Sequence, residues 1–470
     1  MDKESESISQ KPKRTSNNEI DMLHGPLTGK ILAMAIPIAL SSILQQLFNS
    51  VDVAVVGRFA SSQAQAAVGC NGPVINLFLN LFVGISVGAN VIAANYIGQK
   101  KQDKIKETVH TAMTIALISG ALLLVLGQVL ARPILEWMDT PEDVLEHAIL
   151  YLKIYFLGMP FIMVYNFGAA ILRSVGDTKR PLRCLLISGV INAVLNMILV
   201  IVFHMGVAGV AIATMVSNII SSSMVWYFLS HEKGIIHLSV KDLGITAYEM
   251  KKILRVGVPA GLQTAIFSFS NVCIQSALNG YGSDAVAGSA ITLNYEFFTY
   301  FILGAFNQTV ITFTSQNFGA GKYDRCKEVY RKCLFFGVVF TFMMSMTFLL
   351  GHKFFIGLFT TEPNVAAYAK TRMNYLLTYN CIAGSYEISG AALRGIGYSM
   401  TPALLTVFGV CVLRLLWVYL VCPRVPGFSV LMSVYPISWV ITGIMVVAVY
   451  LVIRKKVFSR SMARRNDLIL

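Results

Sequence analysis

The chain reads as an all-α, polytopic membrane protein with twelve transmembrane helices in two homologous six-helix bundles. Three observations lead there. Hydrophobic residues make up 55% of its 470 residues and charged ones 13%, with a mean hydropathy of +0.65. Soluble domains carry about 25% charged residues, so a large water-facing surface is missing. Apolar runs of about twenty residues recur along the whole length, which at ~1.5 Å per residue is what a ~30 Å hydrocarbon core requires. Short motifs from the first half also return, in the same order, in the second.

The elements follow in chain order. Residues 1–26 are polar and carry Lys11, Lys13 and Arg14 without an apolar core or small-residue cleavage site. They are expected to form a disordered cytoplasmic tail rather than a signal peptide. Helices 1 to 6 are expected near 31–56, 68–97, 108–135, 147–172, 182–203 and 206–230, forming a first lobe over 27–230. A polar cytoplasmic linker, 231–252, leads to a second lobe over 253–453. Its helices 7 to 12 fall near 253–278, 285–317, 329–350, 366–393, 402–422 and 428–453, and a basic tail, 454–470, follows. With the N-terminus inside, 30 of the 38 Lys and Arg lie on the cytoplasmic side. That positive-inside bias puts both termini in the cytoplasm. The net charge of +14 therefore serves orientation and contact with the lipid bilayer, not nucleic acid.

The repeats are specific. "GQKKQDKIKE" at 98–107 matches "GAGKYDRCKE" at 319–328, and "ILRSVGDTKRP" at 171–181 matches "ALRGIGYSMTP" at 392–402, both at an offset of 221. "KILAMAIP" at 30–37 matches "KILRVGVP" at 252–259 at an offset of 222. An even number of helices per half gives both halves one orientation. Such parallel repeats are related by an axis along the membrane normal, with substrate sites near the midplane between them. Two lobes joined by a linker suit alternating access, although repeats of this kind also occur in channels.

Enzyme chemistry finds little support. In "HEKGIIH" the histidines His231 and His237 are six apart in a loop, whereas HExxH needs them four apart on one helix face. Asp177 in "SVGDTK" has no second intramembrane aspartate with which to form a dyad, and no GxxxxGK[ST] loop is present. The eight cysteines are scattered without paired spacing, as expected of small buried hydrophobes rather than disulfides or metal ligands. Neither a metal nor an organic cofactor is expected, and the energy for transport would come from an ion gradient.

The polar groups within the apolar spans carry the functional signal. Asp52 follows some twenty uncharged residues on helix 1, where insertion scales put a central Asp at roughly 2.5–3.5 kcal/mol. Gln45 and Asn49, seven and three residues before it, are expected to share its face. Pro37 on the same helix is a natural bending point. Helix 5 carries Asn192 and Asn196 at i and i+4, and helix 6 carries Thr214 and Asn218 at the same spacing. Carboxylate, amide and hydroxyl oxygens suit Na⁺, and a carboxylate in a dry pocket can instead hold a proton. Interhelical hydrogen bonding is the alternative role for the amides and the hydroxyl. In the second half, Glu296 lies one turn from Tyr300 on helix 8, Glu387 lies on helix 10, and Arg414 sits mid-span on helix 11. A buried Arg calls for a partner, and Glu387 is the expected one.

Together, the duplicated lobes, the "VDVAVVGR" aspartate, the "LRSVGDTKRP" loop after helix 4 and the "INAVLN" pattern of helix 5 resemble the bacterial type of the MATE (multidrug and toxic compound extrusion) family. The likeness runs from about residue 25 to 454. It implies two six-helix bundles in a V-shaped arrangement in the bacterial inner membrane, working as a monomer. It further implies export of cationic or amphipathic small molecules in exchange for H⁺ or Na⁺. Carried over, the ion site would be Asp52, Asn192, Asn196 and Thr214, and Pro37 would be the bend of helix 1. Many members have a second aspartate where this chain has Asn196. Phe267 and Ala383 stand where the Na⁺-linked branch has acidic groups, so Glu296 and Glu387 would have to serve from other positions. A lipid-linked saccharide flippase is the alternative within the superfamily, and an intramembrane enzyme is the remote one.

Overall fold

The computed structural model describes residues 18–138 and 140–466. Most of the expected N-terminal tail, residues 1–17, and the last four residues of the basic tail lie outside the described residues. Twelve helical rods follow one another. The first lobe comprises α1 (Leu27–Phe59), α2 (Ser62–Gln99), α3 (Gln102–Trp137), α4, α5 (Lys179–Val202) and α6 (Gly206–Ser230). The rod α4 is bent by 46° between Glu142–Leu157 and Met159–Ser174. Gly158 stands at the bend and Pro160 lies in the next turn, where its missing N–H cannot continue the ladder. The second lobe comprises α7 (Ala247–Asn279), α8 (Ser283–Gly319), α9 (Tyr323–Leu350), α10 (Pro363–Gly395), α11 (Met400–Val421) and α12 (Phe428–Asn466). No strand occurs among the described residues.

Eight of these rods, and α4 taken as one span, are long and apolar enough to cross a membrane. The remaining three, α7, α8 and α10, are long but more polar. Two of them, α7 and α8, pack against α2 of the opposite lobe, and α10 is held among α8, α9 and α12. Part of their polar surface is buried against protein, as at Gln263, Ser270, Thr292, Thr299 and Asn380. Both α5 and α11 loosen into π-turns, at Met197–Val202 and Trp417–Val421. These occupy matching places in the two repeats, and such turns recur at functional sites.

At the end that carries the linker, the lobes meet backbone to backbone. A Cβ on Gly98 would stand 2.0 Å from the Gln316 carbonyl oxygen, and one on Gly319 would stand 2.1 Å from that of Asn95. Gly98 and Gly319 are 221 positions apart, as are Asn95 and Gln316, so the duplicated motif packs against its own copy. Gly84 and Gly261 approach as closely on α2 and α7. Small residues permit this approach within a membrane, where helix association depends on packing. Thr312 Oγ1 donates to Asn90 Oδ1 across the seam at 3.0 Å, and Gln316 Nε2 donates to the Ser174 carbonyl at 2.6 Å.

Three boundaries differ from the sequence expectation. Residues 18–26, expected to be part of a disordered tail, lie packed over this seam. Met22 is 1% exposed, and its carbonyl accepts from Asn317 and Arg325 at 3.2 and 3.0 Å. Ile20 and Met22 press on Gly176 of the first lobe, whose φ of +84° leaves no place for a side chain there. The linker is not a free tether to Lys252. Ile236 and Leu238 are buried, the Ser239 N–H donates to His110 Nε2 at 3.0 Å, and the Thr246 N–H donates to Thr111 Oγ1 at 3.1 Å. It is fastened to the first lobe as far as Thr246, and α7 begins at Ala247. The last helix continues past residue 453 to Asn466. Pro37, itself buried, lies within α1, which runs through it as one helix.

Candidate functional site

Asp52 sits on the buried side of α1, 7% exposed. Asn196 Nδ2 donates to its Oδ1, and Thr214 Oγ1 lies 3.3 Å from its Oδ2. Asn192 Nδ2 in turn donates to Thr214 Oγ1 at 3.4 Å, and Asn196 Nδ2 lies 3.3 Å from Asn192 Oδ1. The residues come from three rods. Each pair spaced i and i+4 shares one helix face, which is why the local pattern on α5 assembles a site with α1 and α6. Among the described residues, no Lys, Arg or His lies within ion-pairing distance of this carboxylate. The buried Asn196 Oδ1 also lacks a hydrogen-bond partner. The cluster therefore presents a carboxylate and an unpaired acceptor with no cation of its own. Gln45 and Asn49, expected on the same face, are exposed and stand outside the cluster.

The acidic groups of the second lobe do not pair as expected. Arg414 is 1% exposed but does not reach Glu387. Its Nη1 donates to Asn271 Oδ1 at 3.2 Å and its Nε to Ser438 Oγ at 3.3 Å. The guanidinium also lies over the Tyr435 and Phe267 rings, at 4.5 and 5.3 Å from their centroids. Delocalised charge on an aromatic face is a favourable alternative to an ion pair. Glu296 pairs instead with Arg372 at 3.4 Å, a structural bridge from α8 to α10.

Glu387 faces the cavity between the lobes. Its Oε2 accepts from Asn307 Nδ2 at 2.8 Å, and Tyr300, Gln263, Phe267 and Arg394 line the same space. Ten of the fourteen lining residues belong to the second lobe, and four come from α2. Sequence reading passed over Arg394 because "ALRGIG" marks a helix end beside a loop taken as cytoplasmic. Its twin Arg173, 221 positions earlier, is not among the lining residues. Asn307 and Gln263 were likewise missed, since single amides on apolar helices carry no spacing signal.

The comparisons with known proteins agree with this architecture. The MatE family model matches the chain twice, over residues 37–198 and 259–420, so each lobe is one copy. The Bacillus subtilis protein called probable multidrug resistance protein YoeA is 28% identical over 386 residues, covering 80% of this chain and 82% of its own. A protein of Shewanella oneidensis named FAD transporter is 24% identical over 431 residues, covering 90% and 94%. The solved structure described as the outward-facing conformation of a multidrug resistance MATE family transporter of the MOP superfamily superposes with a TM-score of 0.85. It is 21% identical, and the match covers 95% of this chain and 99% of that one. The chain belongs to the MatE family, and is a multi-pass membrane transporter of bacterial type and not an enzyme.

Proposed function

We propose that the protein is an antiporter that exports cationic or amphipathic small molecules against an inward gradient of H⁺ or Na⁺. The observation that carries this reading is Asp52, buried among neutral donors with no protein cation beside it. An uncompensated carboxylate at that depth is costly, so a proton or a Na⁺ is its natural companion. Thr214 Oγ1 has one proton and two acceptors, Asp52 Oδ2 and the Val210 carbonyl at 2.9 Å. With Asp52 ionised the hydroxyl serves the carboxylate, and with Asp52 neutralised it returns to its own helix. Loading the ion thereby changes the bond between α1 and α6. Asn192 and Asn196 supply further oxygens for a Na⁺, and the unpaired Asn196 Oδ1 suits either ion.

The glycine seam supports a state closed at the linker end, with the cavity beyond it. That end is the cytoplasmic one on the positive-inside rule, so both termini lie inside. Pro37 serves as the bend of α1 when the lobes rearrange, and Gln45 and Asn49 line its exposed face. Glu387, with Tyr300 nearby, draws a cationic cargo, while Glu296 and Arg414 hold the second lobe together. A lipid-linked saccharide flippase calls for a strongly cationic cavity, and here one guanidinium stands beside one carboxylate. The reading supposes a monomer and no cofactor other than the coupling ion. Reconstitution into proteoliposomes, with a pH gradient and a Na⁺ gradient imposed separately, tests it. Efflux of a cationic dye that follows one gradient is expected, and efflux that follows neither removes the antiport reading.

A further inference from the structure

The cavity carries two opposite charges that the protein itself keeps apart. Glu387 and Arg394 are seven residues apart on α10, two turns along one helix face and about 10 Å in rise. They make no ion pair within 4.0 Å, although both line the same space. Each is held by a neutral amide from a different helix. Asn307 of α8 donates to Glu387 at 2.8 Å, and Arg394 Nη2 donates to Gln263 Oε1 of α7 at 2.5 Å. Arg394 is 8% exposed, and its Nε has no partner among the described residues.

Opposite charges attract more strongly in a protein cavity than in water. Neutral amides fix each one, which leaves a bipolar slot between them. We infer that the slot selects cargo bearing both charges, with a cationic group toward Glu387 and a carboxylate or phosphate toward Arg394. A guanidinium binds planar oxyanions through paired N–H groups, and Phe267 adds apolar surface to the cavity lining. The inference rests on the reading of this cavity as the transport site, and it narrows the cargo from cations to zwitterions.

The test is binding, measured without any gradient, on the full chain purified into nanodiscs. Ciprofloxacin carries a piperazinium and a carboxylate at opposite ends of one ring system. Its ethyl ester keeps only the cation and its N-acetyl derivative only the anion. The wild type is expected to bind the zwitterion about tenfold or more tighter than either derivative, a gap of about 1.4 kcal/mol. Arg394→Gln should weaken the zwitterion to the level of the ester and tighten the ester, because a like charge has been removed. Glu387→Gln should do the converse for the N-acetyl compound, and Arg394→Lys should retain the zwitterion preference. Equal binding of all three compounds by the wild type overturns the inference. So does an Arg394→Gln variant that weakens all three alike, or a folded Arg394→Lys variant without the preference. Retained charge preference without gradient-driven transport would instead sink the antiport reading and leave this one standing.

Discussion

The two lobes are copies in backbone and opposites in polar content. Where the first lobe places Asp52, Asn192, Asn196 and Thr214, the corresponding positions of the second are Ile274, Leu413, Trp417 and Tyr435. The same region of the second lobe is built around Arg414, which Asn271, Ser438, Tyr435 and Phe267 hold from several sides. One lobe thus contains an anion with no cation beside it among the described residues, and the other a cation held by Asn271, Ser438 and two aromatic faces. An anion without a counter-ion can take one up and release it, whereas a cation bonded to two helices ties them together. Under the proposed function, the asymmetry would separate two tasks: ion exchange in the first lobe, cargo recognition on the α7, α8 and α10 face of the second.

The comparison can be broken most severely by writing the first lobe's charge into the second. Ile274→Asp is expected to cost about 2.5–3.5 kcal/mol, since nothing there is arranged to receive a carboxylate. It should lower the melting temperature in detergent and add no new ion coupling in proteoliposomes. A stable variant with altered ion stoichiometry would mean that the lobes are interchangeable. Next in size is Asn196→Leu, which removes the donor that fixes Asp52. An unsatisfied buried charged group costs about 1–3 kcal/mol or more, and gradient-driven efflux should fall about tenfold while binding at the cavity persists.

Symmetry itself is tested at the seam. Gly98→Ala and Gly319→Ala each drive a methyl group into a backbone carbonyl of the other lobe, at about 1–3 kcal/mol for overpacking. Hydrogen exchange over residues 95–99 and 316–320 should accelerate to a similar extent in both variants. Protection lost in one and kept in the other would show that the contact is not reciprocal. The smallest effect is expected from Ser438→Ala. It removes one of several contacts to Arg414, costs about 0.5–1.5 kcal/mol, and should leave efflux near the wild-type rate.

How far the sequence carried the account depended on the range of the interaction. Helix number, duplication and the grouping of Asn192 with Asn196 are local patterns, legible from spacing alone. Asp52 could be read because a charge in an apolar run is an energetic anomaly wherever its partners lie. The partners of Arg414 are 24 and 143 residues away, and no periodicity distinguishes Asn271 or Ser438 from Glu387 as candidates. Gln45 and Asn49 obeyed helical spacing yet stand exposed, because spacing gives a helix face but not how far along it the neighbouring helices reach. The docking of Met22 and of the linker depends on His110, Thr111, Asn317 and Arg325. Those side chains lie far in sequence from the segments they hold, so no local pattern marks them.

The most direct measurement compares Asp52→Asn with the wild type at matched reconstitution levels, following dye efflux under a pH gradient and a Na⁺ gradient in turn. Asparagine preserves the shape of the side chain and can still bond to Thr214 and Asn196, so the fold should survive. The account predicts that the response to whichever gradient drives the wild type disappears, while dye binding at the cavity remains. Undiminished gradient-driven efflux in that variant would contradict it.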